Sequence, residues 1–175
     1  MLESTGAELA ALPWFSSLGA PPTDAEAADA RAYLTGLGAG VEELRWVTDW
    51  AEAEQVVRDP GGADWLSSEA ALLEELMASL GPMAGEASFA GLLNVTVHRV
   101  SDTVMGAAAL AAARDGVAGE AVIRVAAGAA GQTAEQVAVA RLAGAGPDHP
   151  FEAKLRLYAG GRWPLGLVGG KLLIF

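Results

Sequence analysis

SFAGLLNVTVHRVSDTVMGAAALAAAR, residues 88–114, is where the choice between a helical and a mixed architecture is made. Phe89, Leu93, Val97, Val100, Val104, Ala107 and Ala111 recur in steps of four and three. On a helix those steps draw one apolar stripe along about 28 residues, roughly 42 Å at the α-helical rise. Val95, Thr96 and Val97 are β-formers, so a strand over 92–98 competes. The length and continuity of the stripe favour the helix, with Ser88 placed to cap it and Gly116 to end it. On that helix His98 and Asp102 stand at i and i+4, the spacing at which a carboxylate holds an imidazole in one tautomer. They point about 140–180° away from the stripe at 100° per residue, so a surface ion pair is the expected outcome of this acid–base candidate.

Toward the N-terminus, Trp65, Leu66, Leu72, Leu73, Leu76, Met77 and Leu80 form a second stripe that Gly81-Pro82 stops. Residues 41–59 allow two readings. One is a helix with Trp46, Val47, Trp50, Ala53 and Val57 along one side, ended by Pro60-Gly61-Gly62. The other is a short strand with Leu44 and Trp46 on one face, followed by a helix that Thr48 or Asp49 caps. Thr23-Asp24-Ala25-Glu26 has the form of a capping box, opening a helix that runs to about Thr35 and stops at Gly36. Residues 1–22 read as a lead-in segment without regular structure, packed on the body of the domain through Trp14 and Phe15.

Toward the C-terminus, Val122–Ala143 is rich in small residues and is expected to be a central packing element. Thr133 and Gln136 make a second capping box, which predicts a fresh helix from there to about Gly144. Residues 151–158 fit both a period of two and a short helix with Phe151, Leu155 and Tyr158 along one side. Residues 162–175, folded about Gly169-Gly170, read as a hairpin, since two glycines suit the positive dihedrals of a tight turn. The expected fold is mainly α: a single helical domain over 23–175, of five or six helices, closed by a C-terminal β-hairpin. The alternative is α+β, with strands from 43–47, 92–98 and 151–158.

Composition excludes more than it assigns. The 175 residues include no Cys, which removes disulfides, thiolate metal sites and a cysteine nucleophile. A net charge of −11 argues against nucleic-acid binding, which needs clustered Lys and Arg. No uncharged apolar run reaches the ~18 residues of a membrane span. Without a basic stretch ahead of an apolar run at the start, a cytoplasmic location is expected and Asn94-Val95-Thr96 is not read as a glycosylation site. Residues 1–86 carry sixteen acids against Arg31, Arg45 and Arg58, whereas 87–175 carry six acids against eight bases. That asymmetry offers an acidic surface to a basic protein partner, although a solvated outer layer explains it more plainly.

The motifs of catalysis are missing. Gly166–Lys171 has its first glycine one residue too close for a phosphate loop, and 36–40 lacks the third glycine of a dinucleotide loop. Glu69, Glu74 and Glu75 could supply metal oxygens. Val95 and Gly146, however, stand where a carboxylate would be needed three residues before His98 and His149, so no metal and no cofactor are expected. The serines show no nucleophile elbow. What is left is Asp148, His149, Arg162 and Trp163, which flank the connections around 151–158, where Arg162 and Trp163 offer a cationic fork and an aromatic face, although Trp163-Pro164 as a core anchor with Arg162 pairing a Glu of the acidic half explains them more plainly. The leading reading is a non-catalytic interaction or assembly module that self-associates as a homo-oligomer. Its rival is a small-molecule-binding protein or enzyme with a pocket near His149, Arg162 and Trp163.

Overall fold

A computed structural model describes residues 2–39, 43–58, 64–116 and 119–175. The decisive stretch is helical. Helix α5, Ala87–Arg114, runs 28 residues and turns Phe89, Leu93, Val100, Val104, Ala108 and Ala111 into the core. The strand alternative at 92–98 fails because the stripe continues for four more turns beyond it. Glu86 is the N-cap, though its side chain does not cap the helix, while the side chain of Ser88 lies outside the described residues.

Around α5 the described residues form six further helices: α1, Leu2–Ala10; α2, Asp24–Gly36; α3, Trp50–Arg58; α4, Asp64–Ser79; α6, Glu120–Leu142; and α7, Pro150–Ala159. A 3-10 turn at Gly81–Gly85 links α4 to α5. Strands β1, Glu43–Trp46, β2, Pro164–Val168, and β3, Lys171–Ile174, make a small sheet in the order β1-β3-β2. The protein is thus mainly α with a few strands.

Seven helices stand where five or six were expected, and α1 accounts for part of the difference. Residues 2–10 are helical rather than irregular, and α1 packs on α5 and α6. Leu9 and Thr5 are buried there, so tertiary contact supplies what a nine-residue helix lacks alone. The irregular part of the lead-in is shorter. Trp14 and Phe15 within it are buried, and they open a file of rings through Tyr158, Trp163, Trp50 and Phe175 with successive centroids 5.0–6.3 Å apart.

Helix α6 is the central element, with Ala126, Ala127, Ala130, Ala134, Val137 and Ala138 all buried. It passes unbroken through Thr133, so the second capping box does not form. A box needs free backbone amides ahead of it, and the Ala-rich turns from Val122 already engage them. Thr133 Oγ1 instead donates back to the Ala129 carbonyl at 2.9 Å. The first box does form: Glu26 N donates to Thr23 Oγ1 at 3.2 Å and Thr23 N to Glu26 Oε2 at 2.7 Å.

At 43–58 the strand-then-helix reading holds, with Asp49 Oδ1 accepting from Glu52 N at 2.8 Å; Pro60-Gly61-Gly62 lies outside the described residues. Residues 151–158 are helical. Their period-two pattern misleads because α7 is packed on α2 and α6 and covered on most sides. Gly169 and Gly170 take φ of 57° and 77° at the hairpin turn, and β1 then adds parallel to β3.

Part of the charge asymmetry is absorbed within the fold. Glu8, Glu26, Asp29, Glu43 and Glu69 of the acidic half pair with Arg141, Arg162, Arg156, Lys171 and Lys154 of the other. Among the described residues no helix is long and apolar enough to cross a membrane.

Candidate functional site

Four helices bring polar side chains to one point inside the domain. Glu69 on α4, Lys154 on α7, Gln136 on α6 and Tyr33 on α2 are each at most 2% exposed. Lys154 Nζ donates to Glu69 Oε1 at 2.5 Å and to Gln136 Oε1 at 3.2 Å. Tyr33 donates to the same Glu69 oxygen at 2.5 Å, and Gln136 Nε2 to Glu69 Oε2 at 3.1 Å. Glu69 is therefore the hub, one carboxylate accepting from three elements.

The cluster is not saturated. An ammonium has three N–H donors, and Lys154 places two of them on oxygens. Around the third lie the faces of Tyr33 and Trp65, each ring centroid 5.7 Å from Nζ. One helical turn along α7, the Tyr158 hydroxyl is fully buried without a hydrogen-bond partner. The neighbouring Thr133 hydroxyl donates to the Ala129 carbonyl and, beside Tyr158, pulls its pKa down against the effect of burial. Burial pushes Lys154 below its ordinary pKa, against the pull of the Glu69 charge. Burial, and then Glu69, push the Tyr33 and Tyr158 hydroxyls up, so both stay protonated donors.

Trp65 separates this cluster from an open cleft of about 430 Å³. The cleft lies between α3, α4, α6 and β2, with Trp65, Trp163, Val57, Ala129 and Leu165 among its walls and Leu66 and Val125 on its rim. Its volume is that of a small-molecule site, and Gln132 is the one described lining residue with an amide. The Trp65 indole lies flat on β2 because position 166 is glycine. A Cβ there would stand 3.1 Å from the ring, and φ of 137° already disfavours a side chain. Against known proteins, the chain matches no family model, no curated protein and no solved structure.

The residues singled out by sequence fall in separate places. His149 caps α7, its Nδ1 accepting from Phe151 N at 3.2 Å; it is half-buried, and that burial lowers its pKa. Asp148 is exposed in the preceding turn. Arg162 lies past the other end of α7, about 15 Å away along a ten-residue helix. Its Nε and two terminal nitrogens donate to both Glu26 oxygens and to the carbonyls of Ser17, Ala20 and Pro21, which accounts for all five N–H groups. Arg162 therefore clamps the lead-in and has no donor left for a ligand. Of the four, Trp163 alone lines the cleft. His98 and Asp102 are both exposed on α5, as their position off the stripe requires, but neither a hydrogen bond nor an ion pair joins them. Among the described residues no three His, Asp or Glu side chains converge as metal ligands.

A signal for the missed cluster was present in the sequence. Glu69 fills the gap between Trp65 and Leu72 in the α4 stripe, and Lys154 stands between Phe151 and Leu155–Tyr158 on α7. A charge on an apolar stripe must find a buried partner.

Proposed function

We propose that the domain binds a small, mainly apolar ligand, held in the cleft between Trp65 and Trp163. The observation that carries this is the cleft itself: about 430 Å³, walled by the half-buried Trp65 indole, aliphatic side chains and the edge of the buried Trp163. Flat ring walls favour a planar body, since offset stacking adds to the gain from burial. The pocket lies on the Trp163 side of the region that sequence favoured, and His149 and Arg162 take no part in it.

The test uses 2-ethylnaphthalene, a planar hydrocarbon of suitable size, titrated by calorimetry. Saturable one-to-one binding is expected in the native protein and should be lost in Gly128→Trp. Gly128 lines the cleft on α6, and a Cβ there meets nothing within 4 Å, so the backbone accepts a side chain and the new indole is expected to occupy cleft space. Equal binding by both proteins would overturn the reading.

Self-association is a second reading, favoured by the apolar side chains that α5 exposes: Leu110 at 69%, Val95 at 59% and Met105 at 41%. Light scattering that gives the monomer mass at all concentrations would remove it.

A further inference from the structure

The cleft and the buried cluster lie on opposite sides of a single side chain, Trp65. Trp65 faces the cleft on one side and the Lys154 ammonium on the other. Along α6, Gln132 of the cleft and Gln136 of the cluster are one turn apart. No cluster residue lines the cleft, so access from the cleft to the cluster, its polar inner end, requires the indole to turn aside about its own side-chain bonds.

The hydrogen bonds at that inner end specify what it lacks. The third Lys154 N–H faces ring surfaces instead of an oxygen, and the Tyr158 hydroxyl is sealed in without a well-formed hydrogen bond, the Thr133 hydroxyl being its neighbour. Lys154 and Tyr158, four residues apart on α7, lie on the same side of that helix. Every acceptor oxygen of Glu69 is already engaged by Lys154, Tyr33 or Gln136. The vacancy is therefore for an acceptor. Charge narrows it further: one ammonium and one carboxylate already balance, and a second carboxylate beside Glu69 would meet like-charge repulsion in a dry site.

We infer that the inner end is a head-group site for a neutral carbonyl, so that the ligand is a planar apolar molecule bearing a ketone, aldehyde, ester or amide whose oxygen accepts from Tyr158 and Lys154. This rests on the cleft being the binding site.

Three naphthalenes of nearly one shape test it by calorimetry on the full chain: 2-acetylnaphthalene, 2-ethylnaphthalene and 2-naphthoate. The ketone should bind about ten-fold tighter than the hydrocarbon, the effect of pairing two buried donors, and also tighter than the carboxylate. In Tyr158→Phe the ratio of ketone to hydrocarbon affinity should fall toward one. Isotope-edited infrared of the bound ketone in the native protein, which depends on no variant, should move the carbonyl stretch to lower wavenumber than in hydrocarbon solvent. Equal affinities for ketone and hydrocarbon with an unshifted stretch would overturn the head-group site and leave the cleft standing. Tighter binding of naphthoate would overturn the neutral head. If none of the three binds, the cleft reading fails, and the head group with it.

Discussion

Arg162 and Lys154 are both buried cations paired with a carboxylate from the acidic half, and they differ in how completely they are satisfied. Arg162 meets an irregular segment whose carbonyls have no ladder or helix to bind them, and its fork supplies the donors: three carbonyls and one carboxylate take all five N–H groups. Lys154 meets side chains only, from three other helices, and stops one donor short, next to a tyrosine hydroxyl with no partner at all. A saturated cation holds structure. An unsaturated one beside a cleft has binding capacity left over, and that contrast separates the clamp from the candidate site.

The most forceful way to break the contrast is at Glu69. In Glu69→Ala the Lys154 charge, the Tyr33 hydroxyl and the Gln136 amide all lose their acceptor inside the core, and unfolding in urea should show a loss of about 3–5 kcal/mol. The double variant Glu69→Leu with Lys154→Met should recover most of it, because buried ion pairs are often no better for stability than apolar residues of similar volume. Failure of the pair to recover would mean that Lys154 serves the fold as Arg162 does.

Arg162→Lys should cost less, about 2 kcal/mol by the same measurement, since a lysine keeps the charge opposite Glu26 while leaving carbonyls at 17–21 without donors. No apolar replacement should rescue it, because those orphaned acceptors are backbone. Binding in the cleft should persist in this variant. Acid should weaken the clamp as well. Burial pushes the Glu26 carboxyl up, but the hydrogen bonds from Arg162 and Thr23 more than offset this and hold it below its ordinary value of 4.5. A depressed carboxylate contributes stability above that value and loses it as pH falls through the folded-state pKa.

How much of this was legible follows from where the information lies. The stripe at 89–111 is local and periodic, and it survived as α5; the Gly169-Gly170 turn and the Thr23–Glu26 box are equally local. Thr133 and Gln136 show the limit of local motifs, for the same four residues cap a helix start or lie inside a helix depending on what precedes them. Helix α1, nine residues long, is too short to stand alone and is held by α5 and α6, which its sequence does not display. That Arg162 pairs a Glu of the acidic half was readable, but that the Glu is Glu26 and that carbonyls at 17–21 take its other donors was not, because those partners are far away in the chain. The charged positions on the α4 and α7 stripes were readable as anomalies, but that they meet each other, and meet Gln136, is a tertiary fact.

The smallest effect sharpens the contrast most, because it sets two buried tyrosines side by side. Tyr33 donates to Glu69 at 2.5 Å, whereas Tyr158 donates to nothing. Tyr33→Phe removes a hydrogen bond to a charged acceptor and should lower stability by about 1.5–3 kcal/mol. Tyr158→Phe removes a hydroxyl whose desolvation nothing offsets while keeping the ring against Trp14 and Phe15, so it should leave stability unchanged or raise it by up to about 1 kcal/mol. A stabilising loss of a hydroxyl is what a binding group held ready for an absent partner should give, since sites that serve function are often unfavourable for the fold. Were Tyr158→Phe instead as destabilising as Tyr33→Phe, the hydroxyl would have a partner within the fold, and the inner end of the cleft would be as saturated as the clamp.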